Sequence, residues 1–360
     1  MVFLATVLFL LTFGLVMLFS SSYAYAYERF GNSYKFISKQ LIFAVIGVGL
    51  MLLISKINYH ILRRFAIWIY GISIIMLLAV LVLPPMSDEV GVKRWIAIKS
   101  FTFQPSEIGK FAIILLFAHL ISINHEKMRS FKFIFVLGLL LLGIAVPVVL
   151  EPHISATILI LLIAFVMMFV GGMRKTLAVS VAGLGSMGVL VFLNSNFIGY
   201  SSSRIKYWRN PWLDAKGKGF QTIQSLLAIG SGGILGRGIG QSRQKYLWVP
   251  EPHNDFIFAI VCEELGLVGA LLVIAGFAML VWRGFSVAMR AEDKFGMLLA
   301  LGLSFQVGLQ AMLNIWVVTN TIPNTGISLP FFSYGGSSLI ILLAEMGIVL
   351  SVSRGANKDK

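Results

Sequence analysis

An all-α integral membrane protein with about ten transmembrane helices is the fold this sequence predicts, on three observations. Hydrophobic residues fill 58% of the 360 positions and charged residues only 12%, whereas a soluble globular domain carries about 25% charged residues. The apolar residues fall into long runs, and a spanning helix needs ~20 of them. The basic residues, which dominate a formal net charge of +14, gather between the runs, as the positive-inside rule requires of cytoplasmic loops.

The runs place spans near 2–20, 40–55, 66–83, 106–123, 132–150, 154–172, 177–194, 256–282, 296–319 and 337–353. In hydrocarbon each must be helical, because every backbone N–H and C=O needs an internal partner. The first run begins at Val2 and has no small-residue cleavage site followed by a soluble domain, so it reads as a retained span. Lys56, Arg63 and Arg64 follow the second span; Lys127, Arg129 and Lys132 follow the fourth; Arg174 and Lys175 follow the sixth. Arg283, Arg290 and Lys294 follow the eighth, and Arg354, Lys358 and Lys360 end the chain. Placed in the cytoplasm, these turns put both termini inside, a parity that ten spans satisfy. The positive charge then reflects orientation and anionic lipid heads rather than nucleic acid. A single cysteine, Cys262, excludes an intrachain disulfide, and five scattered histidines argue against a histidine-built zinc site. With no separate soluble segment, residues 1–360 read as one transmembrane domain.

The other side holds an unexpected charge. Its longest loop, about 195–255, carries Arg204, Lys206, Arg209, Lys216, Lys218, Arg237, Arg243 and Lys245, and the loop at 84–106 adds Lys93, Arg94 and Lys99. A solvated loop beside anionic lipid is the plain reading; a cationic surface for a phosphate or diphosphate head group is the functional one. Glycines punctuate residues 217–240; within them Gln221 to Ile229 is short and amphipathic, an interfacial or re-entrant helix, followed by a glycine hinge.

Charges inside spans are costly and mark function by default. Glu107 and Lys110 stand three apart on one face of the fourth span, either a self-neutralising pair or a lysine held toward a phosphate. Asp255 ends the polar run Glu251-Pro252-His253-Asn254 where the eighth span begins. It could cap that helix, or partial desolvation could suit it to a general base's work. Glu263, Glu264 and Glu345 lie deeper and read as structural partners inside the bundle, as does His119.

These motifs, in this order, resemble the SEDS family (shape, elongation, division, sporulation). Lys93-Arg94-Trp95-Ile96 leads to Phe103-Gln104-Pro105-Ser106-Glu107 and Lys110; Gly219-Phe220-Gln221 leads to the glycine hinge; Pro250-Glu251-Pro252-His253-Asn254-Asp255-Phe256 precedes Glu263-Glu264-Leu265-Gly266. Leu329-Pro330-Phe331-Phe332-Ser333-Tyr334-Gly335-Gly336-Ser337-Ser338 is similar to the family's C-terminal signature, and the likeness covers nearly the whole chain. The Pro250–Pro252 and Ser333–Ser338 segments look closer to the FtsW/SpoVE branch than to RodA. Two departures stand out: His153, in Glu151-Pro152-His153-Ile154-Ser155, replaces an acid of an acidic-Pro-Asp-x-Gly segment, and Asn254 stands where threonine is common.

The resemblance implies a peptidoglycan glycosyltransferase in the bacterial cytoplasmic membrane, working on its outer face. It would join lipid II molecules and release undecaprenyl diphosphate with inversion. Asp255 would be the general base. Arg94, Lys110, Arg204, Arg243 and Lys245 would bind the diphosphate, and Glu107, Gln104, Ser333 and Ser337 would support them. A divalent cation, Mg2+ or Mn2+, could share the diphosphate charge, although no dedicated metal cage is visible. A class B penicillin-binding transpeptidase and other division or sporulation proteins are the implied partners. The rival readings are a lipid II flippase, which would line a path open to both sides with charge, and a non-catalytic scaffold, in which Asp255 is only a cap.

Overall fold

The computed structural model describes residues 1–83, 94–98, 101–151, 153–194, 205–246 and 251–355. Its long helices are α1 (Val2–Phe30), α2 (Lys35–Ile54), α3 (His60–Val82), α4 (Pro105–Ile123), α5 (Phe131–Leu150), α6 (Ile154–Val170) and α7 (Lys175–Asn194). A short α8 (Phe220–Gly232) follows, then α9 (Ile257–Ala288), α10 (Lys294–Val318) and α11 (Gly336–Gly355). Eight of these are long and apolar enough to cross a membrane. With the 17 residues of α6 and the 20 of α7, the expected set of about ten spans is present in a multi-pass membrane protein. The one strand pair described is a hairpin, β1 (Ile96–Ile98) with β2 (Phe101–Phe103), antiparallel with Ile96 opposite Phe103.

The helices sort by their sequence. α10 is the most buried span and packs against α4, α6, α9 and α11. α2 and α3 stay largely exposed along apolar faces, as lipid-contacting helices do. α1 runs ten residues past the expected end of its span. Ser20, Ser21 and Ser22 end the apolar run, yet all three are buried, and Ser21 returns its hydroxyl to Leu18 O at 3.1 Å. The helix stops at Gly31, whose φ of 66° is left-handed and whose N–H reaches Tyr27 O.

α9 is not the single uninterrupted span the sequence suggests. It breaks at Gly266, with φ 63° and ψ −159°. A break inside an apolar helix frees backbone groups that lipid cannot satisfy. Here the segment after α8 satisfies them. Arg237 N–H donates to Glu263 O and Gly238 N–H to Glu264 O; Leu267 N–H donates to Gly233 O and Val268 N–H to Ile234 O, all at 2.9–3.2 Å. The expected short helix and glycine hinge are thus α8 and a segment docked into the break. The two backbones touch: a Cβ on Gly266 would stand 2.4 Å from Gly236 N, and one on Gly236 would stand 2.2 Å from Glu264 O.

Gly266→Ala should therefore lower the stability of the detergent-purified protein by ~1–3 kcal/mol from backbone strain alone, with the contact clash added. Gly49→Ala, in α2 with open space at the Cβ position, should leave it nearly unchanged. Thermal unfolding followed by tryptophan fluorescence reads both; equal midpoints for the two variants would refute the docked break.

Candidate active site

One face of α10 carries three amides, Gln306, Gln310 and Asn314, at spacings of four, which stacks them along the helix. Asn314 is fully buried. Its Nδ2 donates to Asp255 O at 2.8 Å and to Ile327 O at 2.7 Å, tying the turn before α9 to the segment before α11. One turn along, Gln310 Nε2 donates to Ser328 O and Oγ at 3.2 Å, while Gln310 Oε1 accepts from Lys110 Nζ at 2.9 Å. A further turn along, Gln306 Nε2 donates to Glu345 Oε2 at 2.9 Å. Lys110, 2% exposed, closes the seam with an ion pair to Glu107 Oε1 at 2.9 Å. A pocket opens above this seam, lined among others by Glu107, Gln306, Gln310, Ser328, Ser333 and Ser338. Lys110 lies behind Glu107 and Gln310 rather than on the pocket wall.

The turn that bears Asp255 is clasped from the far side. Ser333 Oγ accepts from Leu329 N–H at 2.8 Å and donates to Asn254 O at 2.7 Å. Tyr334 N–H donates to His253 O at 2.9 Å. The buried Gln40 donates to Ser333 O and accepts from Gly335 N–H. The His253 ring lies 4.2 Å from Phe36 and 5.2 Å from Tyr25, centroid to centroid. Burial pushes its pKa down to about 4, so His253 is a neutral packing element and no cation for a phosphate. The Asp255 carboxylate is half-buried and faces Gly326, where a Cβ would stand 3.4 Å from Oδ2.

A second polar cluster sits beside the start of α4. Arg94 Nε donates to Glu151 O at 3.3 Å, and His153 Nδ1 faces Ser106 Oγ at 3.3 Å and Gln104 Nε2 at 3.4 Å. His153 is buried, and burial, with Arg94 and Lys110 nearby, holds its pKa well below the usual range. A neutral imidazole in contact with Ser106 and Gln104 thus stands at the position where the sequence resemblance expects an acid. The Glu151 side chain is fully buried and, among the described residues, neither carboxyl oxygen has a hydrogen-bond partner. Burial pushes its pKa up to about 8, against the opposing field of Arg94.

Lys245, expected on the diphosphate, is elsewhere. It is fully buried, with Nζ 2.8 Å from Glu264 Oε1 and 3.4 Å from Ser20 Oγ. The physical reason is Glu264, which also lies fully buried beneath the 240–246 loop and needs a compensating charge. Glu264 further accepts from Ser20 Oγ, Gly240 N–H and Ser242 N–H, and Glu263 accepts from Arg243 and Gln244 N–H. The expected structural roles of Glu263, Glu264 and Glu345 match these contacts, and His119 accepts from Arg63 Nε at 3.3 Å. The Arg243 side chain is exposed. Ser337 is buried at the start of α11 with no partner for its hydroxyl among the described residues. Arg204, Lys93 and Lys99 lie outside the described residues. Among the described residues no group of three His, Cys, Asp or Glu side chains is arranged to hold a metal.

The structure therefore gathers Asp255, Ser333, Glu107 and Lys110 around one seam, with Arg94 and Gln104 in the neighbouring cluster. Gln306, Gln310, Asn314, Gln40 and Glu151 were missed by sequence reasoning. The available signal was polar amides recurring every fourth residue inside an apolar span.

The family model described as "Cell cycle protein", FTSW_RODA_SPOVE, matches residues 1–358. The chain belongs to the FtsW/RodA/SpoVE family. A Geobacter sulfurreducens protein named "Probable peptidoglycan glycosyltransferase FtsW" is 38% identical over 343 residues, covering 95% of this chain and 91% of that protein. Stage V sporulation protein E of Bacillus subtilis is 40% identical over 349 residues, covering 96% and 94%. A chain of a solved peptidoglycan synthase complex, described as coordinating polymerization and crosslinking, superposes with a TM-score of 0.81 at 28% identity, covering 99% of this chain and 98% of its own. The FtsW and SpoVE names among these relatives agree with the branch that the Pro250–Pro252 and Ser333–Ser338 segments resemble.

Glu151 gives this site a signature in pH. Burial raises its pKa from 4.5 in the unfolded chain to about 8 in the folded protein. Between those values the folded protein holds a proton that the unfolded chain has lost, so this group makes stability fall as pH rises through the window. Glu151→Gln removes that fall. Thermal midpoints compared at about pH 5 and about pH 9 should show the variant gaining on the wild type at the higher pH; parallel pH profiles would contradict the buried, protonated carboxyl.

Proposed function

We propose that this chain is a peptidoglycan glycosyltransferase that polymerises lipid II at the outer face of the bacterial cytoplasmic membrane. Family membership supports the activity class. The observation that carries the site is the carboxylate of Asp255 on a turn whose backbone is held by Asn314 on one side and Ser333 on the other. A general base must stand within hydrogen-bond reach of the proton it takes, in a fixed place, and this turn is fixed by two independent clasps.

In the reaction, Asp255 takes the proton of the acceptor's sugar 4-hydroxyl. That oxygen forms a bond to the anomeric carbon of the donor from the face opposite the lipid. The bond from that carbon to the diphosphate breaks, and undecaprenyl diphosphate leaves with the electron pair. The anomeric configuration inverts, and no covalent glycosyl-enzyme is needed. Positioned proton transfer contributes ~10²–10⁴-fold. Arg94, Arg204 and Arg243 supply charge to the diphosphate, as cationic groups do in other phosphoryl chemistry. Lys110 acts through Glu107 and Gln310, holding the floor of the pocket. Lys245 has no place on the substrate in this reading. Both termini lie in the cytoplasm, where the basic turns put them. The partner is a class B penicillin-binding transpeptidase that cross-links the strands, in division or in sporulation; the synthase complex whose chain superposes on this one supports it.

The test is glycan-strand formation from purified lipid II, by wild type and by Asp255→Asn, each with and without the transpeptidase. Wild type should polymerise, and Asp255→Asn should fall by at least ~10²-fold with unchanged thermal stability. Polymer from Asp255→Asn at the wild-type rate would refute the general base. No polymer from the wild type with its partner present would favour a flippase or a scaffold.

A further inference from the structure

At the end of α6 opposite the Asp255 turn, 17 residues or about 25 Å along that helix, lies a second and unrelated pocket. It is formed by the 3₁₀ turn His125–Arg129 and the turn joining α6 to α7. Arg129, Gly172, Met173, Arg174, Lys175 and Thr176 line it, around ≈ 720 Å³ of non-protein space that is partly open solvent. Both walls are pinned from within: Met128 is fully buried under one, and Met173 is buried under the other. Gly172 and Met173 are held by bonds from their N–H groups to Phe169 O and Met168 O. The three cations are thus presented on a fixed frame.

None of them is neutralised by a described residue. No acidic residue lines the pocket, and among the described residues Arg129, Arg174 and Lys175 make no ion pair. α7 begins here, and its first-turn N–H groups have no partner within the helix. An anion with more than one oxygen meets every requirement of such a site. The surroundings say which anion. Next along the chain from the basic rim, the first turns of α5 expose Phe131 and Phe135, whose rings stack at 6.3 Å, and the last turn of α6 exposes Phe169 and Val170. A free phosphate would leave that apolar surface unused; a lipid would cover it with its chains.

We propose that this pocket binds the phosphate head group of an anionic glycerophospholipid, with its acyl chains against Phe131, Phe135 and Phe169. The inference is independent of the reaction assigned to Asp255. A basic pocket between helix ends at a membrane surface is the kind of place that such head groups occupy. A lipid seated there would staple the α6–α7 turn to the 3₁₀ turn.

The test is lipid binding by the purified full-length protein, titrated with phosphatidylglycerol or phosphatidylcholine and read by native mass spectrometry. Phosphatidylglycerol should be retained and phosphatidylcholine should not. Each basic residue at such a surface contributes about fivefold, so Arg129→Gln/Arg174→Gln/Lys175→Gln should weaken retention by about 100-fold. The control Lys56→Gln/Arg64→Gln/Arg290→Gln removes three exposed cations from other turns of the same proposed side and should leave retention near the wild-type value. Equal losses in the two triple variants would overturn the proposal in favour of diffuse surface charge. So would equal retention of the two lipids. Competition by inorganic phosphate alone, at concentrations that leave the lipid unable to rebind, would overturn the lipid assignment and leave a free-phosphate site.

Discussion

Lys110 carries an ammonium group, at 2% exposure, into a bundle of apolar helices, and the candidate site is arranged around that fact. Taking such an ion out of water costs several kcal/mol even after the protein relaxes, unless partners replace the lost water. Glu107 supplies the opposite charge from one turn earlier on the same helix, and Gln310 supplies an acceptor from α10. Gln310 can face Lys110 only with α10 seated against α4, and its amide nitrogen then points at Ser328. Asn314, one turn further, reaches Asp255 O and Ile327 O. A single desolvated charge therefore fixes two helices and the segment before α11, and through that segment the turn that bears Asp255.

The same rule shapes the break in α9. Gly266 interrupts a lipid-facing helix, and the freed carbonyls of Glu263 and Glu264 are taken up by the N–H groups of Arg237 and Gly238. The two glutamate side chains then lie beneath the 240–246 loop and gather its N–H groups, Ser20 and Lys245. The loop before Asp255 and the start of α9 become one unit, anchored also to α1. Buried polar groups that are fully satisfied rigidify their surroundings. The carboxyl of Glu151 departs from that pattern: among the described residues neither of its oxygens has a hydrogen-bond partner, and burial raises its pKa so that it takes up a proton more readily.

Much of this was legible beforehand, for a physical reason. The bilayer dictates span length and forbids unpaired backbone, so ten apolar runs became ten helices. The Glu107–Lys110 pair was readable from its spacing of three, and the helix at 220–232 from its amphipathic stretch and glycines. What escaped was burial. Ser20 to Ser22 looked like the end of a span because their polarity is visible in the sequence and their burial, with the partners of Ser20 and Ser21, is not. Lys245 looked like its exposed neighbour Arg243, since a loop sequence does not say which lysine turns inward to a glutamate nineteen residues later. Gln306, Gln310 and Asn314 carry no charge and so passed for ordinary positions in an apolar run, although their spacing of four was there to be read.

The most direct measurement compares Lys110→Met with Lys110→Met/Glu107→Gln, scored for thermal stability and for strand synthesis from lipid II. Removing the ammonium alone leaves Glu107 without its charge partner and should destabilise by ~3 kcal/mol or more. Neutralising both should recover most of that stability, because an uncharged pair no longer needs water. Polymerisation should stay lost in both, since neither variant holds Gln310 in place. A single variant as stable as the wild type, or a double variant that polymerises at the wild-type rate, would contradict the claim that this buried charge organises the site.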